Sequence, residues 1–314
     1  MNHEKLMKGA RTVIRQCLKV KPREKTLILT DKKIPSSIPR ALLEALKEVN
    51  AISKIKIIEP LEFDGQEPPK EIADLMKNFD VIILATSKSL THTKAREDAC
   101  KAGARIASMP GITEFSFIEG GLTADYEEVK ELVEKIHEKV NGSRKIRITS
   151  SNGTNFKAKV EGRRWFKDDG MIDEKGKFSN LPAGEVFIAP LEGTSEGILV
   201  FDKMGKFGEN IKIEVKNGIA EKIEGSELLE KVIQEIGEKA RNIAEIGIGA
   251  NPKAKVIGNV LEDEKVLGTV HVALGNNFHF GGKIDVPFHV DGIILKPNLE
   301  VDGKLLIKNG KWIF

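Results

Sequence analysis

Between residues 268 and 291 the chain reads GTVHVALGNNFHFGGKIDVPFHVD, and three of its six histidines fall in that stretch. His289 and Asp291 stand two residues apart, a spacing that turns both side chains to one face of a strand. Imidazole and carboxylate presented together suit Zn, Co, Mn or Fe better than Ca or Mg, which prefer oxygen donors. His271 lies amid Val270, Val272 and Leu274. Alone it reads as a satisfied core histidine; beside a second histidine and an aspartate it reads as a further metal donor. His279 is not expected to join them.

Two carboxylates upstream are placed where a purely structural role is awkward. Glu185 interrupts the apolar stretch NLPAGEVFIAP, and glutamate is rarely buried without a partner. The preceding Gly184 suggests backbone that approaches something closely; a strand residue pointing to solvent is the alternative. Glu245, in ARNIAEIGIGANP, follows a helical pattern spanning roughly 226–244. A carboxylate at a helix C-terminus costs roughly 0.3–1 kcal/mol against the macrodipole, a cost that a nearby cation removes. Fraying into solvent is the alternative there. The run Glu262, Asp263, Glu264 reads as a solvated turn. Chemistry without a metal has little to work with. No GxSxG nucleophile elbow occurs, and Cys17 and Cys100 lie in the other half of the chain from His271 and His289. No lysine stands out as a Schiff-base candidate.

The elements that must position these residues fall into two halves. Residues 1–142 alternate short apolar runs (TLILT, ISKIKII, DVIILATS, ARIASMP) with helical patterns such as SSIPRALLEALKEVN and YEEVKELVEKIHEKV. That grammar predicts an α/β domain with a mainly parallel sheet. It carries neither GxGxxG after its first strand nor GxxxxGK[ST], so it has no nucleotide fingerprint. His92 and His137 read as solvated positions. Residues 143–314 switch to a period of two, punctuated by Asn152-Gly153, Asn217-Gly218, Asp302-Gly303 and Asn309-Gly310. These are hairpin signals, and they predict a β-rich α+β domain carrying the metal site. Ser226 is the expected N-cap of its one long helix.

Composition narrows the class. Fifty Lys and Arg against 47 Asp and Glu give no bias toward nucleic acid. No run approaches the ~18 apolar residues of a membrane span. The N-terminal MNHEKLMKGARTVIRQCLKV is charged throughout, unlike a signal peptide. The two cysteines make no disulfide framework. A cytoplasmic location is expected, and abundant Lys and Glu with the single Tyr126 are compatible with a thermophile.

NLPAGEVFIAP, AEIGIGANP, LEDEKVLGTVHVALG and FHVDGII, in that order, resemble the thermophilic metallo-aminopeptidase family of aminopeptidases T and S. The resemblance covers most of residues 143–314. It implies a homodimer whose C-terminal domain holds two divalent metal ions (Zn, Co or Mn) and acts on a peptide substrate. Its implied ligands are Glu185, Glu245, His271, His289 and Asp291, with Glu245 bridging the two ions at the catalytic centre. Two such ions would activate a shared water and polarise the scissile carbonyl. At the position of that family's active-site tyrosine, seven residues after His271, stands Phe278. The same scaffold also resembles the dihydroxypyridine ring-opening dioxygenases. That resemblance implies one Fe(II) on His271, His289 and Asp291, with Glu185 and Glu245 outside the ligand set. A non-catalytic metal-binding protein is the third expectation. The first of the three, an aminopeptidase-like hydrolase, leads.

Overall fold

The computed structural model describes residues 2–313. It is an α/β fold with one parallel sheet and two antiparallel ones. In chain order its elements begin α1 (Asn2–Arg11), β1 (Lys25–Asp31), α2 (Ser37–Glu48), β2 (Ile52–Ile58), α3 (Lys70–Met76), β3 (Val81–Ala85), α4 (Lys94–Lys101), β4 (Arg105–Ser108), α5 (Glu114–Ile118) and α6 (Tyr126–Val140). Then follow β5 (Lys145–Thr149), β6 (Asn155–Lys159), β7 (Phe166–Asp168), β8 (Phe178–Asn180), β9 (Glu185–Ile188), β10 (Glu196–Phe201), β11 (Ile211–Lys216), β12 (Ile219–Glu224), α7 (Glu227–Ile236) and β13 (Ile243–Gly249). The last are α8 (Val260–Asp263), β14 (Val270–Gly275), β15 (His289–Ile294), β16 (Asn298–Val301), β17 (Lys304–Lys308) and β18 (Lys311–Trp312).

The chain packs as two compact units. The first holds Met1–Glu131, Asp168–Ala183 and Pro252–Lys255. Its parallel sheet runs β2-β1-β3-β4-β8. The apolar runs are strands because both faces are covered: every residue of β3 is buried, and so is all of β1 after Lys25. Thr93 caps α4 by accepting from the Arg96 amide.

The second unit holds Leu132–Lys167, Gly184–Asn251 and Val256–Phe314. An eight-stranded antiparallel sheet runs β12-β11-β10-β6-β5-β16-β17-β18, and a five-stranded sheet runs β15-β14-β13-β9-β7. Asn217-Gly218, Asp302-Gly303 and Asn309-Gly310 form two-residue turns with both residues at positive φ, as their hairpins require. Asn152-Gly153 does not. There only Gly153 has positive φ, and Ser150 accepts from the Gly153 amide while donating to Thr154, which makes a longer loop.

The helix after Ser226 is also shorter than its periodicity predicts. Ser226 caps it as expected, but it ends at Ile236, where Gly237 at φ +108° donates back to Ile233. Glu245 therefore sits within β13, not at a helix end, and the macrodipole cost expected for it does not arise. No described helix is long and apolar enough to cross a membrane.

Candidate metal centre

The five-stranded sheet brings the predicted donors together through its register. Glu245 pairs with Ala273 and Gly247 with His271 across β13 and β14. Ala273 pairs with Asp291, and Gly275 with His289, across β14 and β15. Gly249 pairs with Glu185 across β13 and β9. Directly paired residues share a face, and so do residues two apart. Glu185, Glu245, His271, His289 and Asp291 thus all project from one side. Their neighbours on that side include Gly247, Gly249, Ala273 and Gly275, which leave the space above the strands open. The opposite side carries Val186, Ile188, Ile246, Ile248, Val272 and Ile294, all buried. Each such side chain stabilises the unit by about 1.5–3 kcal/mol, which anchors the sheet beneath its polar face.

A β-bulge makes this face possible. Ile243 pairs with Leu274, yet Glu245 pairs with Ala273, so Ala244 is the extra residue. Without it Glu245 would oppose Val272 and point into the apolar side. The bulge re-aims one carboxylate, a recurrent use of bulges beside functional sites. Two glycines complete the fit. A Cβ on Gly247 would lie 1.9 Å from His271 Nε2, so the imidazole crosses bare backbone there. A Cβ on Gly249 would lie 2.0 Å from the Val266 carbonyl, so the segment leading into β14 crosses there too. Gly184 has φ +124°, a conformation that side chains other than hydrogen rarely adopt.

The donors form two groups that share Glu245: Glu185, Glu245 and His271, and Glu245, His289 and Asp291. His271 Nε2 lies 3.2 Å from Glu185 Oε2 and 3.5 Å from Glu245 Oε1. His289 Nε2 lies 3.4 Å from Glu245 Oε2 and 3.6 Å from Asp291 Oδ1. The His271 side chain is 1% exposed and that of His289 is 29% exposed, so the site opens at the β15 end. His289 Nδ1 donates to the Asn276 carbonyl at 2.9 Å. That bond fixes the ring and turns Nε2 toward the carboxylates, as metal-bound histidines are held. Glu185 Oε2 is buried and accepts no hydrogen bond from the described residues. A buried oxygen left so is costly, and a cation among these donors would satisfy it. The donor set therefore fits a transition metal.

Lys265 is the residue that the sequence reading missed. Its side chain, 1% exposed, pairs with Glu185 Oε1 and lies 2.7 Å from Glu264 Oε1. Glu262, Asp263 and Glu264 are buried, not a solvated turn. Asp263 accepts from the Ile257 and Gly258 amides. A run of charges such as EDEK is ordinarily a solvated face, so no signal in the sequence marked this one. Phe278 sits on a single helical turn, 56% exposed. His279 is exposed beside it and belongs to neither donor group.

The carboxylates of this face favour the protonated form of both histidines. Burial disfavours charge on His271, yet the Glu185 and Glu245 carboxylates that its Nε2 faces outweigh burial and lift its pKa well above the ordinary value. Burial likewise opposes His289, and Asp291 with Glu245 prevails. Burial pushes Glu264 up to about 8 against Lys265, helped by the charges of Asp291 and Glu185. Groups raised in this way bind more protons folded than unfolded. Their stabilisation is full below the unfolded values and is lost as pH rises through the folded ones. Chelated protein should therefore lose melting temperature as pH rises above about 6 and through the value of about 8 to which Glu264 is pushed. Metal must displace these protons, so titration calorimetry at neutral pH should show a binding enthalpy that changes with the buffer's ionisation enthalpy. A buffer-independent enthalpy would contradict the protonated histidines.

Comparison with known proteins bears on the reaction. A family model described as NicX, 2,5-dihydroxypyridine 5,6-dioxygenase, matches residues 5–313. A curated 2,5-dihydroxypyridine 5,6-dioxygenase of Pseudomonas putida is 25% identical over 189 residues, which is 54% of this chain and 54% of that protein. The chain thus spans about half the length of this curated relative. The solved structure of the Pseudomonas putida 2,5-dihydroxypyridine dioxygenase superposes with a TM-score of 0.82 at 19% identity, covering 99% of this chain and 97% of that one. AmpT from Thermus thermophilus gives 0.72 at 18%, covering 99% of both. At such identities the two structures speak to the fold alone. The family match overturns the expected membership in the aminopeptidase T and S family, and with it the hydrolase and metalloprotease reading. The physical reason is that the four motifs encode one donor-bearing sheet face, and a face of donors does not specify a reaction. The basis for singling out Phe278 falls with that reading.

Proposed function

This chain belongs to the NicX family of 2,5-dihydroxypyridine 5,6-dioxygenases, and from that premise we propose that it is an Fe(II)-dependent dioxygenase that opens a dihydroxylated pyridine or a closely similar ring. The observation that carries the proposal is the family match over nearly the whole chain, joined to two histidines and an aspartate on one sheet face. The proposed ligands are His271, His289 and Asp291, a facial set of two imidazoles and one carboxylate. Bound Fe(II) supplies the one-electron chemistry that lets O2 react with an electron-rich ring.

The chain's own residues do the rest. Glu245 is the member that the two donor groups share, with one oxygen 3.5 Å from His271 Nε2 and the other 3.4 Å from His289 Nε2, so the proposed set draws His271 from one group and His289 with Asp291 from the other. Lys265 places a fixed positive charge on Glu185. That offsets the charge of Glu185 from its Oε1 side, while Oε2 stays turned toward His271 Nε2. Asn276 holds the His289 ring through its backbone carbonyl. The homodimer and the cytoplasmic location remain proposals, read by light scattering and by fractionation. Protein reconstituted with Fe(II) in argon should bleach the ultraviolet band of 2,5-dihydroxypyridine only after air is admitted. Bleaching that proceeds equally in argon would overturn the reading.

A further inference from the structure

Beside the donors, the same sheet face carries an aromatic wall that metal binding does not use. Phe187 lies two residues beyond Glu185 on β9 and pairs with Gly247, whose other partner is His271. The wall therefore begins one strand from the His271 ring, across a position with no side chain. Phe187 stacks on Phe166 at 5.4 Å and 20°. Phe280 stands edge-on to Phe187 at 5.7 Å and edge-on to the His289 ring at 5.9 Å. Phe166, Phe187 and Phe280 are all half-buried. Each retains open ring surface although the sheet beneath is closed.

Phe280 is held there by a built loop. Asn277, fully buried, donates to Glu192 Oε1 at 3.1 Å and accepts from the Ile284 amide at 2.9 Å. Glu192 also accepts from the Lys283 amide at 2.8 Å and pairs with Arg163. Gly282 packs on the Asn277 amide so closely that a Cβ would lie 1.9 Å from its Cγ. The adjacent Asn276 carbonyl is the one that orients His289. One segment thus sets both a donor ring and the neighbouring aromatic edge.

We infer that Phe280 and Phe187 form the subsite that recognises the substrate by its flat, electron-rich ring, with Phe280 as the principal specificity residue. This rests on the dioxygenase reading and deepens it. Ring pairs prefer edge-to-face or offset contacts at about 4.5–7 Å. The existing edge-on geometry of Phe280 leaves that preference available to a planar guest beside His289. Aliphatic guests of equal size would forgo it.

The probe is 2,5-dihydroxypyridine, measured by equilibrium dialysis in argon against protein loaded with Zn, so that binding is read without turnover. Phe280→Ala should weaken binding about five- to tenfold, and Phe280→Leu, which keeps apolar bulk, should weaken it about half as much on a logarithmic scale. Zn content should not change in either variant, which separates loss of the wall from loss of the metal seat. In turnover the same substitutions should raise KM more than they lower kcat. Equal affinity for wild type and Phe280→Ala would overturn the inference, as would a wild type that does not bind the ring. Failure of the dioxygenase reading shows separately, as ring binding by the Fe(II)-loaded wild type without oxygen-dependent bleaching.

Discussion

Glu245→Gln should lower iron affinity by roughly 100-fold or more, the upper end of what removing a partner of metal ligands costs. The glutamine keeps the shape, so packing at this buried position is preserved. What is lost is the negative charge that touches both imidazoles, at 3.5 Å from His271 and 3.4 Å from His289. An amide nitrogen turned toward either Nε2 donates a hydrogen to the lone pair that the metal needs. The two coordinating nitrogens then no longer face a shared negative charge, and the donor groups no longer share a carboxylate. Competition with a coloured chelator measures the affinity, and far-UV circular dichroism checks that the fold is kept. Iron retention equal to wild type would show that Glu245 is not the link between the two groups.

Gly247→Ala should be nearly as damaging, although it adds only a methyl group. Gly247 has no positive φ to protect, so backbone strain is not the issue. The added Cβ would lie 1.9 Å from His271 Nε2 and 2.1 Å from Cε1. The ring must swing off the strand, and a donor displaced by an ångström or more no longer meets its metal. Expected are a tenfold or greater drop in metal affinity, of the order that lost ligand orientation brings, and loss of turnover. His271→Ala supplies the control. If Gly247→Ala acts through that ring, combining the two should cost no more than His271→Ala alone. Additive losses would place the effect elsewhere in the sheet.

Much of the site was legible because period-two spacing is a local rule. The two residues of His289 and Asp291 share a strand face wherever they sit, and the apolar alternation around His271 marks a strand with one buried side. The parallel sheet was legible in the same way, since VIILA can be buried throughout only when both faces are covered. Glu245 was harder. Its helical assignment failed because the preceding residues keep a helical period past Gly237, and its final orientation depends on a bulge defined by the partner strand. A bulge is a property of two strands and leaves no mark on one. Lys265 and the buried acids before it were hidden for a related reason. Lys265 is buried through its pairing with Glu185, eighty residues away in sequence, and the segment that follows it crosses β13 at Gly249; both are tertiary contacts. The reaction was the least legible part, because sequence motifs that build a metal-binding face say little about what is brought to it.

The central claim, an oxygen-dependent ring opening at this face, is tested most directly by oxygen uptake. Wild-type protein reconstituted with Fe(II) should consume O2 and 2,5-dihydroxypyridine in equimolar amounts, and with isotopically labelled O2 both oxygen atoms should appear in the opened product. Hydrolysis of aminoacyl anilides in argon, with no uptake of O2 in the presence of the pyridine, would contradict the account.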